Sequence, residues 1–404
     1  MRVIIAGGGT GGHLYPGIAI AEEVTSRPGG EVLFVGTARG LEAKLVPGAG
    51  YRLELLQVSG LKRTGLPGLA RGLLRLPKAF LGSLAILRRF RPDLVIGVGG
   101  YASGPIVLTA ALSGYATAIQ EQNSRPGFTN RLLGKFVRRV FVAFEESRKY
   151  FSAAKTTLSG NPVRRRFLDG RGAVASRAPA STSAPATKTL LIVGGSQGAR
   201  AVNELVCAMV PILARRGPLP RIVHQAGPAD FDRTRERYAA AGVNDTGLDP
   251  AVAVDPAVAV DPAVAVDPAV AVDPAVAVDV RAYIDDMPGE LAKASLVIGR
   301  AGALTLAELA IVGCPAILVP LPTAADDHQT ANAREMADAG AAVVLPQREA
   351  TAEGLADLVG SLLGDDARRA RMGASMAALG RPGAARAIVD ELERLAPAAT
   401  GAAA

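Results

Sequence analysis

A histidine follows a run of glycines almost at the start of the chain, in VIIAGGGTGGHLYPG at residues 3–17. The apolar residues before the glycines predict a strand, and a helical pattern follows them. In such a strand–turn–helix unit, the backbone N–H groups of the turn and the helix N-terminus favour a bound anion such as phosphate. His13 would stand at the mouth of this turn, where a neutral imidazole can take a proton from a sugar hydroxyl. From position alone, a histidine that merely caps the helix or orients the loop is an equally good interpretation.

The same turn also fits the spacing of a dinucleotide-binding fold, because Gly7, Gly9 and Gly12 satisfy G-x-G-x-x-G. A dinucleotide enzyme usually carries an acid at the end of the second strand, where it binds a ribose. Here that strand ends at Thr37, and the nearest acid, Glu42, falls inside the next helical pattern. The absence of an acid at the strand end disfavours a dehydrogenase.

The opening unit recurs in the second half of the chain. LLIVGGSQGAR at residues 190–200 aligns with VIIAGGGTGGH at residues 3–13, glycine on glycine at three positions. Short apolar runs alternate with helical patterns, which predicts parallel sheets covered by helices on both faces. The expected division is an N-terminal α/β domain at 1–163, a linker at 164–188, a C-terminal α/β domain at 189–380, and a final helix with a tail at 381–404.

Two segments lack this alternation. Residues 169–188 are rich in Ala, Ser, Pro and Arg and have no period, which is typical of a disordered linker or surface loop. Residues 249–278 are five tandem copies of DPAVAV. We expect these copies to form a surface excursion without catalytic duty, and not a β-solenoid, because Ala and Val offer little inward packing.

Composition limits the class of function. The chain has 404 residues, two cysteines and a formal net charge of +8. Two cysteines are too few for a disulfide framework, so a reducing cytosol is expected. Neither a signal peptide nor an uninterrupted apolar run of about 20 residues is visible. No nucleic-acid motif accompanies the charge and aromatic residues are only 4%, so we expect no nucleic-acid partner. An anionic membrane surface or a phosphorylated ligand explains the charge equally well.

Eight motifs follow one another in an order that resembles the bacterial MurG family of N-acetylglucosaminyltransferases. They are GGTGGHLYPGIAIAEE, GTARGLEAKLVPGAGY, GVGGYASGP, EQNSRPGFTNRLL, GNPVR, VGGSQGAR, YIDDM and RAGALTLAEL. The resemblance runs from Val3 to about Leu395, except for the linker and the DPAVAV copies. It implies an α/β fold of the GT-B type, in which two Rossmann-like doubly wound domains face a cleft and the C-terminal helix returns to the first domain.

The resemblance also implies an activity. It is the inverting transfer of N-acetylglucosamine from UDP-N-acetylglucosamine (UDP-GlcNAc) to the C4 hydroxyl of N-acetylmuramic acid in lipid I, which forms lipid II for peptidoglycan synthesis. No cofactor and no metal are expected. His13 is the better candidate for the base and Glu121 the less favoured one, while Gln120 stands where the family usually has a histidine.

Individual binding positions follow from the same motifs. Ser196 is similar to a position at the diphosphate, Ile284 would lie against the uracil, and residues 303–308 would hold the phosphates and the ribose. Asn123 and Gln329 resemble sugar contacts, and Arg164 resembles a donor contact. The full set of expected substrate-binding residues is Thr10, Gly11, Gly12, Asn123, Arg164, Ser196, Ile284, Ala303, Leu304, Thr305, Leu306, Ala307, Glu308 and Gln329.

The chemistry of some of these side chains supports the assignment independently. A carboxylate such as Glu308 can accept both ribose hydroxyls, and the fork of Arg164 suits a phosphate. The alternatives are a surface salt bridge for Glu308, a solvated arginine cluster for Arg164, and a helix-capping or surface amide for Gln329. The acidic pairs at 285–286 and 326–327 are interpreted as caps or surface groups and not as Mg²⁺ ligands, since adjacent acids on a helix point in different directions.

A membrane surface is an expected partner, because lipid I is anchored in the bilayer. Residues 61–91 interleave Leu and Phe with Lys and Arg, a pattern suited to the headgroup layer of an anionic leaflet. We expect a peripheral protein at the cytoplasmic face of the cell membrane, with Leu73, Leu74 and Phe80 in contact with lipid. The alternative is an ordinary amphipathic helix packed on the sheet. Other proteins of cell-wall synthesis and division stay open as partners.

Two further functions remain open. A GT-B glycosyltransferase that acts on another lipid or on a natural product would share the two-domain plan and the nucleotide half. A nucleotide-sugar binding protein without catalysis is the other possibility. The motifs GGTGGH, GGYASGP and EQN favour lipid I over the first alternative, and His13 disfavours the second.

Overall fold

The computed structural model describes residues 1–38, 40–56, 65–169, 188–195, 198–246 and 277–396, with side chains described throughout except at 65–76 and 325. Parts of five predictions fall outside these ranges. They concern residues 61–64 of the expected membrane segment, residues 170–187 of the expected linker, Ser196, residues 249–276 of the DPAVAV copies, and residues 397–404 of the tail.

In the described part of the first half, the strands form one parallel sheet. They are β1 (Arg2–Gly7), β2 (Glu31–Gly36), β3 (Arg52–Leu55), β4 (Leu94–Gly99), β5 (Ala116–Glu121), β6 (Arg139–Val142) and β7 (Thr156–Leu158). Their order across the sheet is β3-β2-β1-β4-β5-β6-β7. The helices are α1 (Gly11–Thr25), α2 (Glu42–Gly48), α3 (Gly65–Phe90), α4 (Ser103–Leu112), α5 (Phe128–Leu133) and α6 (Arg165–Asp169). Short 3-10 helices lie at Glu145–Tyr150 and Ala153–Lys155.

The second half repeats this plan among its described residues. Its strands are β8 (Thr189–Val193), β9 (Arg221–Gln225), β10 (Asn244–Asp245), β11 (Ala277–Arg281), β12 (Leu296–Gly299), β13 (Ala316–Leu318) and β14 (Ala342–Val344), in the order β10-β11-β9-β8-β12-β13-β14. Its helices are α7 (Arg200–Ala214), α8 (Phe231–Ala240), α9 (Met287–Lys293), α10 (Ala303–Val312), α11 (His328–Asp338), α12 (Ala352–Gly364), α13 (Asp366–Leu379) and α14 (Ala384–Leu395), with a 3-10 helix at Ala325–Asp327 before α11.

The expected pair of doubly wound parallel sheets is therefore confirmed. Each sheet reverses its strand order beside its first strand, between β1 and β4 and between β8 and β12. In such folds, ligands bind in the crevice outside the carboxyl ends of the strands at this point of reversal. Both glycine turns that the sequence singled out follow β1 and β8, so the topology places them at these two crevices.

The last helix returns to the first domain, as expected. Arg27, at the end of α1, forms ion pairs with Asp390 (2.6 Å) and Glu393 (2.7 Å) of α14. The apolar face of α14 lies in the same core cluster as β1 and α1, through the fully buried residues Ile388, Val389 and Leu392. Burial of this face in the first domain explains the helical spacing of its apolar residues.

The end of the DPAVAV array differs from the prediction. Ala277 and Val278 form the start of β11, and they pair with Asn244 and Asp245 of β10. Val278 is fully buried and also pairs with Ile222 of β9. These two residues therefore belong to the sheet and not to a surface excursion, because β11 occupies an interior place in the strand order.

A buried polar network joins three elements of the second domain. His224 on β9 is fully buried, its Nδ1 lies 2.9 Å from the Tyr238 hydroxyl, and its Nε2 lies 3.0 Å from Asn203 Oδ1. Asn203 donates its amide hydrogens to the Ala226 carbonyl (2.9 Å) and the Asp230 carboxylate (2.7 Å). Its oxygen therefore accepts from Nε2, which leaves Nδ1 to accept from the Tyr238 hydroxyl when the imidazole is neutral. Burial lowers the pKa of His224 to about 3.

We predict that this histidine makes the second domain less stable in acid. The unfolded side chain binds a proton with a pKa near 6.5, whereas the folded one does so only near 3, so stability falls as the pH drops from 6.5 toward 3. At about pH 5 the loss relative to about pH 7.5 is about 2 kcal/mol. Urea unfolding at both pH values should show a pH difference smaller by about this amount in His224→Gln. An equal difference in variant and wild type would contradict the prediction.

Candidate active site

The first glycine turn joins β1 to α1 and carries His13 in the first turn of that helix. His13 is half-buried, and its Nδ1 lies 3.3 Å from the Gly8 carbonyl oxygen and 3.4 Å from the Thr10 hydroxyl. A carbonyl oxygen can only accept, so Nδ1 carries the hydrogen and Nε2 keeps a lone pair. Burial lowers the pKa of His13 below its ordinary value of 6.5. The ring is therefore neutral at pH 7 with an acceptor nitrogen, as a general base requires.

The end of β4 leaves space for this imidazole. Gly99 has φ +101, and a Cβ on it would stand only 2.6 Å from Cδ2 of His13. Its carbonyl oxygen accepts a hydrogen bond from the Gly8 N–H at 3.3 Å. The turns after β1 and β4 therefore enclose His13 together, at the point where the first sheet reverses its strand order.

Arg164 and Glu308 meet between the two domains. Arg164 Nη2 lies 3.3 Å from Glu308 Oε1, and their side chains are only 14% and 9% exposed. The guanidinium also lies over the ring of Tyr15, 4.0 Å from its centre, as a cation–π contact. Burial raises the pKa of Glu308 to about 7, although the charge of Arg164 opposes this rise. Tyr15 belongs to the same helix as His13, so α1, which carries the predicted base, contacts the pair that contains the predicted ribose ligand.

Helix α10 supplies most of the remaining positions expected from the sequence. It begins at Ala303, immediately beyond the carboxyl end of β12 and the Gly302 cap. Its N-terminus therefore lies at the reversal point of the second sheet, where the helix dipole favours a phosphate. Ala303, Leu306 and Glu308 are buried, while Leu304, Thr305 and Ala307 are partly exposed.

Gln225, at the end of β9, joins the second glycine turn to the segment that contains Ile284. Its Nε2 donates to the Gly195 carbonyl at 3.1 Å, and its Oε1 accepts from the Ile284 N–H at 3.0 Å. Both Gln225 and Ile284 are buried. Gln225 was not predicted from the sequence, since only its place at the end of a strand distinguishes it. Ser196, beside Gly195, lies outside the described residues.

The loop after β5 binds helix α11 of the second domain. Asn332 is fully buried, donates to Asn123 Oδ1 at 3.2 Å, and accepts from the Ser124 N–H at 2.8 Å. Glu335, on the same helix, accepts from the Ser124 hydroxyl at 3.1 Å and the Glu145 N–H at 3.2 Å. These bonds hold the expected sugar contact, Asn123, against the opposite domain. Sequence reasoning missed Asn332 and Glu335, which lie in an otherwise ordinary polar helix.

Glu121 accepts hydrogen bonds from the loop and helix that follow it. Its carboxylate is 2% exposed and accepts from the N–H and side-chain amide of Asn123 (3.0 and 3.3 Å), the N–H of Gly127 (3.2 Å) and the amide of Asn130 (2.9 Å). Burial raises its pKa despite these donors. A shielded carboxylate whose oxygens already accept several hydrogen bonds is poorly placed to receive a proton from a substrate. The geometry thus argues against Glu121 as the base.

Its neighbour Gln120 is also removed from solvent. Gln120 is fully buried, donates to Asn161 Oδ1 at 3.2 Å, and accepts from the Gln122 side chain. The residue that replaces the family's usual histidine is therefore part of a buried amide chain and does not line the cleft.

The remaining predicted positions lie at the ends of helices. Thr10 and Gly12 are exposed and Gly11 is buried at the start of α1, while Gln329 near the start of α11 accepts from the Leu321 N–H at 3.0 Å. Asp286 caps α9 by accepting from the Gly289 N–H at 3.0 Å, which confirms its predicted role as a cap.

Comparisons with known proteins agree with this geometry. Residues 3–142 match the glycosyltransferase family 28 N-terminal domain, and residues 189–256 and 264–388 match the glycosyltransferase family 28 C-terminal domain. A relative from Anaeromyxobacter dehalogenans (strain 2CP-1 / ATCC BAA-258) is 46% identical over 391 residues, or 96% of this chain and 92% of the relative. It is called UDP-N-acetylglucosamine–N-acetylmuramyl-(pentapeptide) pyrophosphoryl-undecaprenol N-acetylglucosamine transferase.

Two further proteins are similar to this chain over most of its length. A relative of that same name from Myxococcus xanthus (strain DK1622) is 44% identical over 393 residues, or 96% of this chain and 92% of the relative. The crystal structure of Acinetobacter baumannii MurG superposes with a TM-score of 0.72 at 29% identity, covering 97% of this chain and 99% of that one. Both similarities therefore extend over nearly the whole of each protein.

Proposed function

The chain belongs to glycosyltransferase family 28 and, within it, to the MurG transferases, and from that premise we propose that it transfers N-acetylglucosamine from UDP-GlcNAc to the N-acetylmuramic acid of lipid I, forming lipid II. Its fold is the GT-B fold. The observation that carries the proposal is that α1 places a neutral imidazole at the first glycine turn and contacts, through Tyr15, the Arg164–Glu308 pair that joins the two domains. Relatives that share the transferase name at 44–46% identity favour lipid I over another lipid or natural-product acceptor.

The second domain would bind the donor. Glu308, when ionised, can accept both ribose hydroxyls, and the N-terminus of α10 favours the diphosphate through its N–H groups and dipole. Arg164 would then leave Glu308 and approach the phosphates with its planar fork. Ile284, held by Gln225, would form part of the uracil wall, and Ser196 would contact the diphosphate.

The reaction is a direct displacement at the anomeric carbon. The C4 oxygen of the acceptor bonds to that carbon from the face opposite UDP, and the bond to the UDP oxygen breaks with its electron pair. The hydroxyl proton passes to Nε2 of His13, whose other nitrogen already donates to Gly8. Negative charge grows on the departing UDP, where the α10 N-terminus and Arg164 stabilise it without a metal or cofactor.

Replacement of His13 tests the proposed base. His13→Ala should lower turnover of UDP-GlcNAc with a short-chain lipid I analogue by about 100-fold or more, because proton removal is no longer assisted. Binding of UDP, measured by calorimetry, should stay close to the wild-type value. Near-normal turnover would reject His13 as the base. Failure of the wild-type protein to form the disaccharide lipid and UDP would reject the proposed function itself.

The raised pKa of Glu308 predicts that donor binding weakens in mild acid. With a pKa of about 7, most Glu308 side chains are ionised at about pH 8 and only about a tenth at about pH 6, so affinity for UDP-GlcNAc should fall by up to about tenfold. UDP-GlcNAc suits the test because its diphosphate diester does not titrate in this range. Glu308→Gln is the matched control, and it should bind weakly but without this pH dependence. Equal pH dependence in both proteins would contradict the assignment.

We also propose that the first domain binds an anionic membrane surface through α3 and α4, which pack together. Leu81 on α3 and Leu112 on α4 are 69% and 71% exposed, and Phe80 is half-buried. The opposite side of α3 is in the core, with Ile86 and Leu87 buried. The side chains of the other expected lipid contacts, Leu73 and Leu74, are outside the described residues. Of the helices that the structure describes, none is both long and apolar enough to cross a bilayer.

Sedimentation with vesicles tests this surface. The protein should pellet with phosphatidylglycerol-containing vesicles and much less with pure phosphatidylcholine vesicles. Leu81→Glu should reduce pelleting, because it places an acid in the apolar part of the surface. Arg348→Glu is the control, since Arg348 is 85% exposed on the second domain and its reversal changes the net charge even more. A larger loss for Arg348→Glu than for Leu81→Glu would contradict the proposed orientation.

A further inference from the structure

A buried carboxylate beneath the first glycine turn has no part in the mechanism above. It belongs to Glu42, the first residue of α2, whose side chain is fully buried. Oε1 accepts from the N–H and the hydroxyl of Thr37 at 2.8 and 2.6 Å, and Oε2 accepts from the N–H of Gly9 at 2.9 Å. Burial alone would raise the pKa of Glu42, but the hydrogen bonds from Thr37 and Gly9 outweigh it and hold the pKa below 4.5. The carboxylate is therefore ionised at neutral pH.

Glycines around Glu42 leave the space that its side chain occupies. A Cβ on Gly8, Gly36 or Gly40 would overlap atoms of Glu42. These glycines come from the first turn, the end of β2 and the segment before α2, so separate parts of the backbone approach one carboxylate closely. The acid nearest the end of β2 thus points under the glycine turn and not toward a ribose.

One peptide group connects this carboxylate to His13. The peptide between Gly8 and Gly9 donates through its N–H to Glu42 Oε2, and its C=O accepts from Nδ1 of His13 at 3.3 Å. Hydrogen bonds on the two ends of one peptide strengthen each other, because an anion at the N–H polarises the group and makes its carbonyl oxygen more negative. The carbonyl then binds the Nδ1 hydrogen more strongly, most of all when the ring is positively charged.

We propose that Glu42 is a positioning residue for His13, acting through the Gly8–Gly9 peptide. It keeps the hydrogen on Nδ1, leaves Nε2 as the acceptor, and stabilises the imidazolium that forms when Nε2 takes the proton of the acceptor hydroxyl. The inference rests on the proposed role of His13 as the base. In a Ser-His-Asp triad, the acid orients the imidazole and stabilises its charged form by direct contact. Glu42 would do the same through a peptide group.

The test measures kcat and KM against pH for Glu42→Gln with UDP-GlcNAc and a short-chain lipid I analogue. The amide keeps the size of the side chain but loses the negative charge, and its NH₂ must face an N–H or hydroxyl donor. We expect kcat to fall about 10- to 100-fold while the KM for UDP-GlcNAc changes less than about twofold. Glu54→Gln is the charge-matched control on neighbouring β3, where Glu54 pairs with Arg89 at the surface, and it should behave as wild type.

The pH profile separates this role from a merely structural one. Among the described residues, Glu42 from α2 raises the pKa of His13 through its charge, and His328 from α11 lowers it. Loss of the Glu42 charge should therefore move the acidic limb of kcat/KM to lower pH. In the His13→Ala background, Glu42→Gln should cause little additional loss, because residues that act through one another are not additive.

The results distinguish the role of Glu42 from the role of His13. Wild-type kcat and an unshifted limb in a folded Glu42→Gln protein, or a full further loss in the double variant, would overturn the role of Glu42 and leave His13 as the base. Wild-type turnover in His13→Ala would reject the base itself. If Glu42→Gln does not fold, Glu42→Asp replaces it. The shorter acid withdraws from the Gly9 N–H, so kcat should still fall, and an unchanged kcat would overturn the proposal.

Discussion

The rest of this site depends on one constraint. The half-buried imidazole of His13 must stay neutral and keep one nitrogen available as an acceptor. Burial lowers the pKa of His13, whereas the Gly8 carbonyl and the charge of Glu42 raise it. The balance leaves the ring neutral before the reaction, but it also provides partners for the charged ring at the moment the proton arrives. The glycines at the ends of β1 and β4 are needed for this balance, since side chains there would displace the ring or the carboxylate.

Burial also determines how the Arg164–Glu308 pair can bind a substrate. Arg164 and Glu308 are mostly buried and pair with each other between the domains, while the Nε of Arg164 finds no hydrogen-bond partner among the described residues. Breaking a buried ion pair is costly when it leaves a charge unpaired, so a ribose on Glu308 and a phosphate on Arg164 must replace the lost contact. The same contact joins the end of the first domain to the second. The Asn332 bonds to Asn123 and Ser124 and the return of α14 to the first domain also connect the two domains.

The sequence predicted those features that have a local pattern. Alternating strands and helices gave the two doubly wound sheets, the glycine runs marked the turns, and the spacing of apolar residues indicated the last helix. The positioning residues Glu42, Gln225 and Asn332 could not be found in this way, because each acts on a segment far away in the chain and has no local signature. For Glu121 the residue type was suggestive, but only the fold shows that its loop surrounds the carboxylate with donors. The start of β11 was missed because its residues continue the DPAVAV repeat and owe their conformation to β9 and β10.

The most direct test of the account is the state of the His13 ring itself. The chain has only three histidines, so ¹⁵N-labelled imidazole signals can be assigned by comparison with the His13→Ala protein and followed by NMR through a pH titration. The account predicts a pKa below 6.5 and, above it, a neutral ring with hydrogen on Nδ1. A pKa above 6.5, or a neutral ring with its hydrogen on Nε2, would contradict it.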